Sequence, residues 1–356
     1  GLNRAINMST GCLIKSLIQS SFAASKKAAA RSKKARVTIT EFDIIERYFR
    51  RSSQQANLVE LGIGDDAAVI HCPHNERLAI CVDTLVEGVH FPADTTAYDI
   101  GHKALAVNLS DLAAMGATPS WATLALTLPK ADEAWIASFS EGLFAMADTT
   151  GLDLIGGDIT HGPLCITIQV AGKISGNTYM TRSGAKPGDL IYVTGTLGDA
   201  GAGLACVFDQ LHPDEADRAH ILERLNRPHP RIETGLKIRQ LANSCIDISD
   251  GLCGDLNHIL NASSVGAVIE TEKLPLSDAL TRLPKERAQT YALQSGDDYE
   301  LCFTIPPTAQ EQLEIITLEQ DPGFTLIGRI TQEKGLRILG PDLSEIIPES
   351  QSYQHF

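Results

Sequence analysis

The sequence predicts two α/β domains, and three observations carry that expectation. The chain has 356 residues, 43% apolar and 21% charged, which is enough for two ordinary cores and is the balance of a globular protein. Strand-like and helix-like segments alternate through both halves, the pattern of sheets covered by helices. The segment TRSGAKPGD at 181–189 is dense in turn formers and marks the boundary between the halves. The expected parts are a basic extension over 1–38, an N-terminal domain over 39–180 and a C-terminal domain over 181–356.

Ordered structure is expected from Thr40. In TEFDIIERYF, Thr40 stands as N-cap with Asp43 three residues on, and Phe42, Ile45 and Phe49 follow at helical spacing. RLAICVDTLVEGVHF reads as a buried strand that turns at Gly88. YDIGHKALAVNLSDLAAMG is a helix rich in Ala and Leu, stopped by Gly116. ATLALTLP is a strand. DEAWIASFSEGLFAMADTTG is an amphipathic helix with Trp135, Phe139, Leu143 and Met146 on one face, and LDLIGGD and LCITIQVAGKI are strands. Trp121 and Trp135 read as core. Beyond the boundary, LIYVTGTLGDAGAGLACVFDQL is a strand, a Gly-rich turn and a helix. NRPHPRIETGLKIRQLA turns into a helix, and SCIDISDGLCGDLNHILNAS is a short strand running into another. GAVIE, DDYELCFTI and FTLIGRI are further strands.

Charge is unevenly placed. The formal net charge is −14, yet residues 1–38 hold eight Lys or Arg and no acidic residue. The rest carries 22 basic against 44 acidic residues, a net of −22, which argues against general nucleic-acid binding. The extension is rich in Ala, Ser and Lys and is expected to be disordered. Its composition could suit an organelle transit peptide, but a cloning remnant or over-long start is the favoured reading. No apolar run is long enough to span a bilayer, so no membrane partner is expected. The eight cysteines form no C-x-x-C pair and mostly sit in apolar runs, which reads as buried thiols in a reducing, cytoplasmic setting.

Aspartates recur where strands end or turns begin: Asp65 and Asp66 (GIGDD), Asp83 (CVDT), Asp111 (NLSD), Asp158 (IGGD), Asp247 and Asp250 (IDISDG), Asp297 and Asp298 (SGDDYE). Asp also caps helices and makes turns, so Asp250, Asp298 and Asp199 each have a purely structural reading. Their recurrence, not any single aspartate, points to a shared role. Buried carboxylates need partners, too few Lys or Arg lie nearby, and hard divalent cations are the natural counter-charge. VTGTLGDAGAG is neither a Walker A loop nor a good dinucleotide fingerprint. A nucleoside triphosphate would therefore be gripped through metal ions, which invert the sign of an acidic site.

The stretches GIGDDAAVI, VDTLVEGVHF, KALAVNLSDLAAMGATP, LIGGDIT, TRSGAKPGDLIYVTGTLGDA, IDISDGL, SGDDYELCF and the terminal HF resemble the thiamine-monophosphate kinase family, from about residue 40 to the end. The resemblance implies ATP-dependent phosphorylation of thiamine monophosphate. It implies the fold shared with aminoimidazole ribonucleotide synthetase and selenophosphate synthetase: an N-terminal mixed sheet that pairs across a homodimer into a barrel, and a C-terminal α/β sandwich. It implies several Mg²⁺ ions, with Asp66, Asp83, Asp111, Asp158, Asp247 and Asp250 as ligands. Cys81 and Val82 also stand at metal-contacting positions. Cys81 replaces the family's usual hydroxyl residue, and Val82 has only its carbonyl to offer. Gly157, Asp158, Arg182 and Ser249 are implied to contact ATP. His90 and Asp297 are implied to contact thiamine monophosphate, Asp297 standing where the family often has Glu. An aromatic near the C-terminus stacks on the substrate in relatives, and Tyr353 is the nearest here.

These roles are chemically coherent. The acceptor is an already ionised phosphate monoester, so no general base is needed. The task is to hold two anions in line. On the residues alone, Arg182 reads equally as a solvated loop arginine, and His90 as a packed or exposed imidazole. Other readings are another ATP-using enzyme of the superfamily, selenophosphate synthetase-like or like the hydrogenase-maturation dehydratase, and a non-catalytic protein that binds nucleotide or divalent metal. Cys12 lies in the basic extension and the chain ends YQHF, which disfavours the first two.

Overall fold

The computed structural model describes residues 40–52, 54, 58–61, 63, 68–71, 76–176, 178–318 and 323–346. The elements below all lie within Glu41–Phe356. A short helix α1 (Glu41–Ile44) continues as a wider turn to Phe49, whose ring is buried. Two short strands, β1 (Val59–Leu61) and β2 (Val69–Ile70), pair antiparallel. Then come β3 (Glu76–Val86), α2 (Ala97–Met115), β4 (Thr118–Leu128), α3 (Glu133–Thr150), β5 (Asp153–His161) and β6 (Cys165–Ser175). The four long strands form one mixed sheet in the order β3-β6-β4-β5, parallel only at β4–β5.

α2 and α3 lie together beside this sheet. Thr96 caps α2 by accepting the Asp99 N–H, and Gly116 ends it in the left-handed region at φ +67°. The helices cross closely at two glycines: a Cβ on Gly101 would lie 2.1 Å from the Phe139 carbonyl oxygen, and one on Gly142 1.9 Å from that of Tyr98. Phe139, Leu143 and Met146 are buried and Trp135 stacks on Phe139 at 5.2 Å, so the apolar face expected of α3 is its packing face.

After the turn at 181–189 come β7 (Leu190–Thr194), α4 (Asp199–Val207), α5 (Glu215–Asn226), α6 (Ile232–Ile238), β8 (Ser244–Asp247), α7 (Leu252–Ser263) and β9 (Gly266–Glu270). They are followed by α8 (Asp278–Thr281), α9 (Lys285–Gln294), β10 (Leu301–Ile305), α10 (Gln310–Leu318), β11 (Phe324–Thr331), β12 (Gly335–Leu339) and β13 (Glu345–Ile346). The strands form a seven-stranded sheet in the order β13-β12-β9-β11-β7-β10-β8, parallel only at β12–β9.

Both faces of this sheet are covered. Ile191 and Val193 of β7 join Leu252, Leu256 and Ile259 of α7 on one side. Tyr192 between them packs on the other with Phe303, Ile238 and Leu313, and with Ala113 and Ala114 from the end of α2. That alternation is the period-two signature of a strand buried on both faces. The expected sandwich is therefore present. α2 contacts both β3 and β8, and so carries its residues to the meeting place of the two sheets.

Among the described residues all six cysteines are free thiols, four of them buried, and no helix is long and apolar enough to cross a membrane. Cys12 and Cys72 lie outside the described residues.

Candidate active site

Where α2, β3 and β8 meet, a cavity of about 870 Å³ opens. Its wall includes Val82, Asp83, His90, Asp111, Asp247, Ser249, Asp250 and Asp297. Residues far apart in sequence thus share one cavity wall. Asp111, Asp247, Cys81 and Arg182 also line a neighbouring recess of about 270 Å³.

Each acidic side chain is delivered by a distinct local device. Asp83 lies on β3, on the face turned to α2. Its backbone N–H donates to Asn108 Oδ1 at 3.0 Å, and Asn108 Nδ2 donates to the Ala104 carbonyl. Cys81, two residues earlier on the same face, donates its thiol to the Asn108 carbonyl at 3.4 Å. Val82 turns its side chain to the opposite, open face and is 57% exposed. Asp111 follows Asn108 by one helical turn. Asp247 ends β8 and is buried. In the 249–250 turn, both backbone N–H groups donate to Asp255 Oδ2 at 3.0 Å.

The electrostatics follow from this crowding. Burial, then the charges of Asp247 and Asp83, push the Asp111 carboxyl up to about 7, against the pull of Arg182. Burial and then Asp83 push Asp247 up to about 6, with Arg182 again opposing. Asp83 is raised by burial, and His90 opposes that rise. Burial, with Asp247 adding, lifts Asp255 to about 8. The Cys81 thiol is raised by burial and then by Asp111, so it stays protonated and is a poor soft-metal ligand in this state. Asp83 thus raises both Asp247 and Asp111, and Asp247 raises Asp111 further, which makes a site in need of external positive charge.

That donor set suits a hard dication. The hydroxyl of Ser110, next to Asp111, is fully buried and bonds toward the Asp247 carboxyl, which it holds down against the effect of burial. Among the described residues, no three His, Cys, Asp or Glu side chains lie close enough to hold an ion by themselves.

Two expected residues are placed elsewhere in the chain. Gly157 and Asp158 lie on β5, the edge of the sheet opposite β3 and its Asp83. Asp158 pairs with Ala125, which pairs with Thr167, which pairs with Thr84, so Asp158 shares the open face of Thr84 rather than the α2 face of Asp83. Gly157 has a packing reason to be glycine: a Cβ there would lie 1.9 Å from the Leu124 carbonyl oxygen. Asp66 and Tyr353 lie outside the described residues.

His90 follows the end of β3, and its Nδ1 accepts the Val86 N–H at 3.0 Å. In the neutral ring this leaves the proton on Nε2. Asp297 sits in the left-handed region at φ +68°, as does Tyr299 at φ +50°. The 297–300 segment runs along the end of β8: the Asp297 N–H donates to the Ser249 carbonyl, Tyr299 N–H to that of Ile248, and Ile248 N–H to that of Glu300. The two motifs IDISDG and SGDDYE are one structural unit.

The other acids of SGDDYE point away from the cavity. Asp298 Oδ2 accepts the Gly198 N–H, and Asp199 accepts the hydroxyls of Thr196 and Ser277, so both have the structural roles left open for them. Glu300 is fully buried. It accepts from Arg224 at 2.7 Å, from Arg231 at 2.7 and 2.5 Å and from Thr194 at 2.6 Å. Asn108, Asp255, Lys103 and Glu300 escaped sequence reasoning. The visible signal was a polar residue inside an apolar helix for Asn108 and Lys103.

The family described as AIR synthase related protein, N-terminal domain, matches residues 64–174, and its C-terminal counterpart matches 186–340. The chain is 49% identical to the thiamine-monophosphate kinase of Escherichia coli K12 over 319 residues, covering 89% of this chain and 98% of that one. It is 36% identical to that of Bacillus subtilis over 324 residues, covering 89% and 99%. The solved thiamine-monophosphate kinase of Stenotrophomonas maltophilia superposes with a TM-score of 0.76 at 45% identity, covering 79% of this chain and 90% of that one. AaThiL complexed with AMPPCP and TMP superposes at 0.69 with 32% identity, covering 80% and 89%. Hydrogenase maturation protein HypE in complex with ATP, at 18% identity and 0.70, shares the fold. The chain belongs to the thiamine-monophosphate kinase family, built on the AIR synthase-related fold.

Proposed function

We propose that the chain transfers the terminal phosphoryl group of ATP directly and in line to the phosphate of thiamine monophosphate, giving thiamine diphosphate and ADP. The observation that carries this reading is the convergence of Asp83, Asp111 and Asp247 on one cavity wall, with Arg182 as the cation acting on two of them. The relatives' names support the substrates: that family phosphorylates thiamine monophosphate, and AaThiL was captured with AMPPCP and TMP.

Asp83, Asp111, Asp247 and Asp250 would hold Mg²⁺, joined by Asp66 and the positions of Cys81 and Val82 in the fuller set; Asp158, on the far edge and opposite face of the sheet, would join only across a second copy of the chain. When bound, the ions screen the two anions and polarise the transferring phosphoryl group. The chain's own residues do the rest. Arg182 offers a guanidinium to phosphate oxygens at the recess beside Asp111 and Asp247, with Ser249 as a further nucleotide contact, while Gly157, on β5 beside Asp158, would reach the nucleotide only across the same second copy. His90 and Asp297 face the same cavity and would bind the acceptor, with Tyr353 as the candidate for the aromatic that stacks on it in relatives. No proton needs to be removed from the ionised acceptor, so the site has no need of a general base.

A homodimer belongs to the same reading. β3 and β5 are both unpaired edges of the four-stranded sheet. Leu78, Ile80 and Val82 on the open face of β3 are 37%, 53% and 57% exposed. A second copy closing this sheet into a barrel would cover them and bring edge strands of two chains together. We also keep the division at 180/181, supported by family matches that end at 174 and resume at 186. Free, largely buried thiols support a cytoplasmic setting.

The test is incubation with ATP, Mg²⁺ and thiamine monophosphate. Thiamine diphosphate and ADP formed one for one support the kinase. Nucleotide binding without turnover supports a non-catalytic binding protein instead.

A further inference from the structure

Lys103 is 97% buried, and its Nζ donates to Asp297 Oδ2 at 3.0 Å, bridging residues 194 apart in sequence. The other carboxylate oxygen, Oδ1, accepts the Tyr299 hydroxyl at 3.0 Å. Asp297 is thus held by both oxygens, from two elements, in a backbone conformation that is unfavourable for a non-glycine residue. Its side chain remains 31% exposed and lines the cavity.

A buried lysine is an expensive way to fill space, because an apolar side chain of similar volume avoids the desolvation of an ammonium. The expense is intelligible if the carboxylate it fixes has work to do. Lys103, Val107 and Asp111 recur at every fourth residue of α2 and so lie on one face. Val107 and Asp111 line the same cavity as Asp297. Eight residues of helix separate Lys103 from Asp111 by about 12 Å along the axis. One face of α2 thus separates an organic-recognition end, at Asp297, from a phosphoryl end, at Asp111.

We infer that Lys103 is a positioning residue, whose ammonium fixes the Asp297 carboxylate so that it can receive the cationic heteroaromatic end of the phosphate acceptor. This rests on the proposed kinase function and deepens it. Lys103 acts through Asp297 and touches neither nucleotide nor phosphate.

The experiment is steady-state kinetics on the full chain with ATP, Mg²⁺ and thiamine monophosphate, for wild type, Lys103→Met, Lys103→Arg, Asp297→Asn and the Lys103→Met/Asp297→Asn double variant. Lys103→Met is expected to raise KM for thiamine monophosphate at least tenfold while KM for ATP stays within twofold. Lys103→Arg recovers most of that loss, and the double variant is no worse than Asp297→Asn alone. Equal effects on both KM values, or losses that multiply in the double variant, overturn the assignment. If Lys103→Met does not fold, Lys103→Arg and Tyr299→Phe decide it. Tyr299→Phe raises only the acceptor KM, by about threefold; an unchanged acceptor KM in Tyr299→Phe, or equal rises in both KM values in Lys103→Arg, overturns the assignment. A wild-type chain that does not phosphorylate thiamine monophosphate overturns the proposed function and this inference with it. Turnover that is indifferent to Lys103→Met overturns this inference alone.

Discussion

The side-chain oxygen of Asn108 accepts the backbone N–H of Asp83 at 3.0 Å, tying the edge strand β3 to the buried helix α2. Asn108 is 1% exposed, and its amide nitrogen is bonded within its own helix. The bond fixes the distance between the two elements that carry Asp83 and Asp111. Asn108→Ala leaves a partly buried N–H without its acceptor and is expected to cost roughly 1–3 kcal/mol of stability. The Mg²⁺ concentration for half-maximal turnover rises several-fold. Denaturant unfolding and a Mg²⁺ titration of activity check the two effects. Unchanged Mg²⁺ dependence in a destabilised variant means that the bond is structural only.

Asp111 gives a pH signature. Its carboxyl is pushed up to about 7 in the folded chain, from an ordinary 3.8. The metal-free folded state therefore holds a proton that the unfolded state has lost between those two values. Stability from this group is full at low pH and falls as pH rises from about 4 to 7. Asp111→Asn cannot ionise, so without metal it gains on the wild type over that range, by roughly 4 kcal/mol at pH 8. Thermal melts of both chains in chelator at pH 5 and pH 8 measure the difference. A gap that does not widen with pH contradicts the crowding of Asp83, Asp111 and Asp247.

His90 lines the cavity and borrows its orientation from the Val86 N–H. On the proposed assignment, replacing it with alanine would remove a contact to the acceptor and leave the nucleotide end intact. KM for thiamine monophosphate is expected to rise about tenfold, equivalent to roughly 1.4 kcal/mol, with a smaller change for ATP. Equal changes in both would assign His90 to structure.

Glu300 and its arginines brace the motif from behind. Arg224 on α5 and Arg231 before α6 both bond to the one buried carboxylate, which they hold below the ordinary range against the opposing effect of burial. Glu300→Gln leaves two buried guanidinium groups short of their counter-charge and is expected to destabilise the fold by roughly 3–5 kcal/mol. Denaturant unfolding checks it, and a loss under 1 kcal/mol would show that the brace contributes little.

Long, strongly patterned elements were legible in the sequence. α2 announced itself by its Ala and Leu content and its terminal Gly116, and α3 by one apolar face. The polar helices α5 and α9 were not legible, because few apolar residues, such as Ile221 and Leu225 or Ala288 and Ala292, mark their buried sides. The strand expected from Asp297 begins only at Leu301, since left-handed turns at Asp297 and Tyr299 hold the intervening residues off the ladder. Recurring aspartates foretold the acidic wall of the cavity. The edge and face of Asp158, the clamp of Asn108 and the pairing of Lys103 depend on sheet order and on contacts between distant segments, which local pattern does not encode.

Binding of Mn²⁺ in place of Mg²⁺, counted by electron paramagnetic resonance with AMPPCP present, tests whether the converging aspartates recruit dications for the nucleotide. The wild type is expected to bind more than one ion tightly, and Asp111→Asn to lose at least one while still melting cooperatively. The same number of ions bound with the same affinity in both chains would contradict it.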